Sequence, residues 1–213
     1  MNKTQCVIFD CEGTLVDSEI LCCRALSSVF KKFGAQLTVE QATQHFAGGK
    51  LADILADTRD RLGLRISLDV LEPHYRTTLK ALFESELKPM AGAKSTLDFL
   101  EKNNIEFCVV SNGPRDKIEH ALKLTGLLSY FPGKIFSAFE TNSWKPEPDL
   151  ILYSAISMGY RPEECLYIDD APKGLEAGVR AGIKTIQLEG LSRHTYPGID
   201  GSISALNQIK ELV

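Results

Sequence analysis

The chain has 213 residues, of which 44% are hydrophobic and 24% charged, and its formal net charge is −4. That length holds one medium domain, or a core with an inserted module, and the balance is ordinary for a soluble globular protein. An acidic average argues against a nucleic-acid or anionic-membrane partner, while leaving room for a local positive site for phosphate.

The first residues enter strand material by Val7 without the basic, apolar, small-residue progression of a signal peptide, and no apolar run reaches membrane-spanning length. Six cysteines without regular spacing do not suggest a disulfide framework. Cys6, Cys108 and Cys165 sit in apolar strand-like runs and read as buried thiols, while Cys22 and Cys23 make no Cys-x-x-Cys pair. The expectation is a reduced, cytoplasmic protein, a monomer or weak homodimer, with neither nucleic acid nor membrane as partner.

The apolar run 7–9 reads as a buried strand delivering Asp10 to its carboxyl end. Then follow Glu12, a second carboxylate two residues on, Gly13, which permits a sharp departure, and Thr14, which offers a hydroxyl and an N–H to an anion. A plain strand end with a polar turn would read the same way.

From residue 18 the pattern turns helical. Ile20, Cys23, Leu26, Phe30 and Phe33 recur at three or four before Gly34, and Thr38-Val39-Glu40-Gln41 is a capping-box signature. Leu51, Ile54, Leu55 and Leu62 mark a third helix, and Val70, His74, Leu79, Leu82 and Phe83 a fourth. From Pro89 onward, helices (92–103, 116–125, 149–158, 174–181, 203–212) alternate with short apolar runs (107–110, 135–136, 166–168, 185–188). Such alternation means a parallel sheet with crossover helices, an α/β fold. The strand at 6–9 joins that series, giving a core of residues 1–17 and 89–213 with a helical insertion at 18–88. Residues 192–202, rich in turn formers, read as an exposed connection.

Asp10, Ser111, Lys145 and the pair Asp169-Asp170 all fall at strand ends or just past them, and a parallel sheet gathers its strand ends at one edge. Ser111-Asn112-Gly113 offers a hydroxyl and free N–H groups to phosphoryl oxygens, or is simply a good turn. Lys145, in Trp144-Lys145-Pro146-Glu147-Pro148, is either a solvated loop lysine or a cation that screens an anionic nucleophile from an anionic phosphate. Trp144 reads as a packing residue. Adjacent Asp169 and Asp170 are costly without a cation, and all-oxygen ligands beside a phosphate favour Mg2+; otherwise they form an N-cap with a solvated neighbour. Gly174, Ala177, Gly178, Ala181 and Gly182 put small residues on one face, letting a helix approach the sheet. His45, His74, His120 and His194 have no ligand-like spacing.

The ordered set resembles the haloacid dehalogenase superfamily: Asp10-Cys11-Glu12-Gly13-Thr14 as its first motif, Ser111 its second, Lys145-Pro146 its third, and Asp169-Asp170 with trailing glycines its fourth. A helical insertion after the first motif resembles the first cap class, which includes β-phosphoglucomutase-like enzymes and bacterial 6-phosphogluconate phosphatases. The resemblance implies a Rossmann-like parallel five-stranded core with an inserted helical-bundle cap, and a Mg2+-dependent phosphatase of a small sugar-phosphate-type monoester. It implies Asp10 as nucleophile forming an aspartyl phosphate, Glu12 as acid/base, and Lys145 offsetting charge. It also implies Thr14, Ser111 and Asn112 as phosphate contacts, and Asp10, the Glu12 main-chain carbonyl, Asp170 and Asp169 around the metal. His45 and Lys50, in His45-Phe46-Ala47-Gly48-Gly49-Lys50, stand where relatives send a cap loop to the substrate; a surface lysine after a turn would look alike.

Glu12 departs from the pattern, whose phosphatases carry Asp there. One extra methylene adds roughly 1.5 Å of reach, and misplacement near 1 Å costs on the order of a hundredfold in rate. The expectation is a phosphatase that is slow or has shifted its substrate. A phosphosugar mutase, a dehalogenase and a non-catalytic phosphate-ester binding protein are the competing readings.

Overall fold

Strand β1 (Cys6–Asp10) is buried at every residue, as a strand covered on both faces must be. The computed structural model, which describes residues 3–190 and 195–213, continues into a helical block. Its members are α1 (Glu19–Lys32), α2 (Val39–His45), α3 (Leu51–Arg61) and α4 (Leu68–Glu86). Leu21, Ala25, Leu26, Val29 and Phe30 form the buried stripe of α1, which packs on α2 and α4, and α3 packs on α4. The capping box at α2 is present: Thr38 Oγ1 accepts from Gln41 N–H at 3.1 Å, and Gln41 Oε1 accepts from Thr38 N–H at 3.0 Å.

The chain enters and leaves this block side by side. Asp17 N–H donates to the Lys88 carbonyl at 2.9 Å and Met90 N–H to the Leu15 carbonyl at 2.9 Å, with Val16 and Pro89 forming an antiparallel bridge. Adjacent entry and exit are what an insertion into a continuous fold requires.

Beyond the block run α5 (Ala93–Lys102), β2 (Glu106–Ser111), α6 (Arg115–Leu124), β3 (Ile135–Ser137), α7 (Ala138–Thr141), α8 (Asp149–Ser157), β4 (Cys165–Asp169), α9 (Pro172–Arg180), β5 (Lys184–Leu188) and β6 (Gly201–Ile203). All strands pair in parallel in the order β3-β2-β1-β4-β5-β6. Val7 and Phe9 enter an apolar cluster that α5, α6 and the helical block share; Cys6 and Ile8 enter a second with α8 and α9.

Among the described residues the sheet has six strands, not the expected five. The sixth, β6, holds a glycine, a serine and a single buried apolar residue, Ile203, so no hydrophobic alternation announces it. The expected terminal helix is a short 3-10 helix, Leu206–Glu211. His194 and residues 191–193, the start of the expected connection, lie outside the described residues.

Strand order decides where a site can form. The chain steps outward from β1 to β2 and β3, then returns to β4 on the other side of β1. The crevice opens beyond the carboxyl ends of the strands at such a reversal. The residues ending β1, β2 and β4 are Asp10, Ser111 and Asp169.

Candidate active site

Lys145 Nζ lies between two carboxylates, in contact with Asp10 Oδ1 and 2.9 Å from Asp169 Oδ2. All three side chains are buried, Lys145 being 5% exposed. Burial opposes the ammonium, but Asp10 and Asp169 outweigh it and hold Lys145 above the usual lysine range. The Lys145 loop is gripped by Asn112, whose Oδ1 accepts from Lys145 N–H at 2.9 Å while Nδ2 donates to the Lys145 carbonyl at 3.3 Å.

Asp169 is fully engaged. Oδ2 accepts from Lys145 and the Tyr167 hydroxyl, and Oδ1 from Ala171 N–H at 2.9 Å. Asp170 accepts from the Thr14 hydroxyl at 3.0 Å. Two glycines permit these approaches. A Cβ on Gly174 would stand 1.9 Å from Asp169 Oδ2, and one on Gly13, whose φ is +85°, 2.2 Å from Asp170 Oδ2.

Asp10, Asp169 and Asp170 each place a carboxylate oxygen within 4.8 Å of the others. In that group three buried acids face one ammonium. Burial pushes Asp10 up to about 7 against the pull of Lys145, and burial with Asp169 beside it holds Asp170 well above the usual carboxylate range. Hard oxygen donors carrying excess negative charge fit a divalent cation such as Mg2+. Asp10 and Asp170 each accept one side-chain hydrogen bond, whereas the two oxygens of Asp169 accept three, which leaves Asp10 and Asp170 the freer donors.

These groups floor a cavity of about 390 Å3 between the strand ends and the helical block. Ser111, Asn112, Lys145 and Lys50 line it, the last with Nζ 4.3 Å from the centre of the Trp144 ring. Ser111 Oγ accepts from Gly113 N–H at 3.0 Å. Thr14 is absent from the lining; its hydroxyl is directed to Asp170. His45 is not brought to this cavity: it ends α2 and lines a smaller one with Asp57, Arg61 and Lys173. Arg24 pairs with Glu86 at 2.6 Å, also away from the site.

Several lining residues carried no sequence signal. Tyr75 and Arg76 reach the cavity from α4, and Lys117 from α6, where Nζ lies 2.6 Å from Glu12 Oε1. Their position depends on how helices dock, which residue spacing does not reveal. Tyr167, which does not line the cavity but donates to Asp169, could have been found, since a tyrosine two residues before Asp169 shares its face of β4.

The haloacid dehalogenase-like hydrolase family model matches residues 7–188. The chain is 34% identical to 6-phosphogluconate phosphatase of Escherichia coli strain K12, covering 100% of this chain and 94% of that one. It is 31% identical to hexitol phosphatase A of the same strain, over 84% of this chain and 80% of the relative. A conserved haloacid dehalogenase-like protein of unknown function from Agrobacterium tumefaciens has a TM-score of 0.83 at 28% identity, covering 98% of this chain and 97% of that one. The chain therefore belongs to the haloacid dehalogenase-like hydrolases. Within them it is a phosphatase, acting on phosphoric monoesters.

Proposed function

We propose that the enzyme hydrolyses a small sugar-phosphate-type monoester through an aspartyl phosphate on Asp10, with Mg2+ as cofactor. The observation that carries this is Lys145 held between Asp10 and Asp169, with Asp170 beside them, at the floor of the cavity beneath the helical block. The sugar phosphate is the substrate class because the relatives at 34% and 31% identity act on phosphogluconate and hexitol phosphates by name.

An Asp10 carboxylate oxygen attacks phosphorus in line, and the bond from phosphorus to the sugar oxygen breaks. Glu12 gives the departing oxygen a proton. Water then attacks the phosphoaspartate, Glu12 takes its proton, and the bond from phosphorus to Asp10 breaks, releasing phosphate and restoring the carboxylate. Lys145 offsets charge throughout, Ser111 and Asn112 position the phosphoryl group, and Asp169 orients Lys145. Thr14 acts through Asp170. Mg2+, held by Asp10, Asp170 and the Glu12 main-chain carbonyl, would neutralise the phosphoryl oxygens.

Residues 18–88 serve as the cap that excludes water and receives the leaving group, with Lys50 at its contact edge. His45 takes no part in that contact. All six cysteines are buried free thiols, which suits a cytoplasmic setting.

The test is phosphate release from a panel of sugar phosphates, 6-phosphogluconate included, with Mg2+ and with chelator. Mg2+-dependent release that disappears in Asp10→Asn supports the reading. Binding of the esters without release leaves a non-catalytic binder, and release that requires a bisphosphate primer points to a mutase.

A further inference from the structure

We infer that Lys117 is the positioning residue for Glu12, holding its carboxylate at the cavity wall where the leaving group and the attacking water must meet it. This rests on Glu12 being the acid/base. The contact is 2.6 Å, between side chains 27% and 24% exposed at the edge of the same cavity.

The place of Lys117 is not one that helix stability selects. It sits in the first turn of α6, where the helix dipole disfavours a cation. The helix is held instead by buried Ile118, Ala121 and Leu122. An ammonium kept at the unfavourable end and turned toward the cavity has Glu12 as its counterpart. Its Nζ also stands 5.8 Å from the Phe83 ring centre on α4, so the pair is braced from the helical block as well as from the core.

Geometry matches the pair to glutamate. A carboxylate on a flexible side chain in an open cavity samples several rotamers, and only one delivers a proton in line. A fixed ammonium at 2.6 Å selects among them. Shortening the acid by one methylene withdraws it by roughly 1.5 Å, out of contact with Lys117. Catalysis through Glu12 therefore depends on Lys117, and catalysis through an aspartate at that position does not.

The experiment is a kinetic cycle of wild type, Lys117→Met, Glu12→Asp and the double variant, with Lys117→Arg as rescue, on the sugar phosphate turned over fastest with Mg2+. Far-UV circular dichroism and melting curves check folding. Lys117→Met is expected to lower kcat at least about tenfold while KM moves less than about twofold. Lys117→Arg should restore most of the rate. In the Glu12→Asp background the same Lys117→Met change should alter kcat by less than about twofold.

A rise in KM with kcat unchanged would make Lys117 a substrate-binding group and overturn the inference. Equal losses in both backgrounds would make it a packing residue and overturn it too. A wild type that releases no phosphate removes this inference and the phosphatase reading together. A wild type silenced by Asp10→Asn but indifferent to Lys117→Met removes this one alone.

Discussion

Asn112 holds Lys145 by its backbone from both sides, accepting its N–H at 2.9 Å and donating to its carbonyl at 3.3 Å. A residue at the end of β2 thus fixes a loop 33 positions later, and with it the ammonium between Asp10 and Asp169. Asn112→Ala removes both bonds and leaves the side chain of Lys145 intact. The expected outcome is a fall in kcat on the order of tenfold to a hundredfold, as the ammonium loses its fixed position. Asn112→Asp can still accept from Lys145 N–H and should retain more activity, which steady-state kinetics on the two variants would decide.

Removing the ammonium itself is a different experiment. Lys145→Met keeps most of the unbranched stem but leaves three buried acids with no cation. Breaking a buried pair from one side costs about 3–5 kcal/mol, and urea unfolding of the metal-free protein should show a loss of that order. Activity should fall with it. Unchanged stability would mean that the acids already have compensation not seen among the described residues.

The convergence of Asp10, Ser111, Lys145, Asp169 and Asp170 is legible in the sequence, because parallel strands deliver their carboxyl ends to one edge. The helical block was legible for a similar reason: its apolar residues repeat at three and four, as the buried stripe of α1 does. Lys117 was not. A lysine in the first turn of a helix looks solvated in sequence, and only the docking of α6, which packs on β3 and α4, sets it against Glu12. His45 shows the reverse, a residue close in sequence to Lys50 whose helix end faces a second cavity. Thr14 had the right location and another immediate partner, Asp170. The strand β6 carries no sequence signal because pairing with β5, through Gly201 and Ile186, needs no hydrophobic pattern.

Metal binding should be visible without turnover. Mg2+ that binds only the folded protein stabilises it by about 2.7 kcal/mol at a hundred times Kd, so the melting temperature of the wild type should climb with Mg2+. Asp170→Asn removes a ligand charge while its amide oxygen can still accept from Thr14. Its melting temperature should respond at least about tenfold less sensitively to Mg2+ concentration. The same response in both proteins would take Asp170 out of the metal site.

Gly174 gives a test of the site that removes no polar group. It lies in α9 without a positive φ, so alanine there carries no backbone strain and favours the helix. Its Cβ, however, would stand 1.9 Å from Asp169 Oδ2 and 2.2 Å from Cγ. Either α9 retreats from the sheet or Asp169 turns away from Lys145 and Tyr167. Overpacking of this kind costs about 1–3 kcal/mol, and here it also displaces the acid that orients the ammonium. Gly174→Ala should therefore lower kcat by more than its stability loss explains when both are measured well below the melting temperature. Gly178→Ala is the comparison: its Cβ would meet Thr185 Oγ1 at 2.4 Å and Tyr167 Cδ1 at 2.6 Å, and reaches Asp169 only indirectly, through the Tyr167 hydroxyl. That variant should lose comparable stability and keep more of its rate. Equal rates in the two would show that Asp169 tolerates displacement, and that Lys145 is oriented by Asn112 alone.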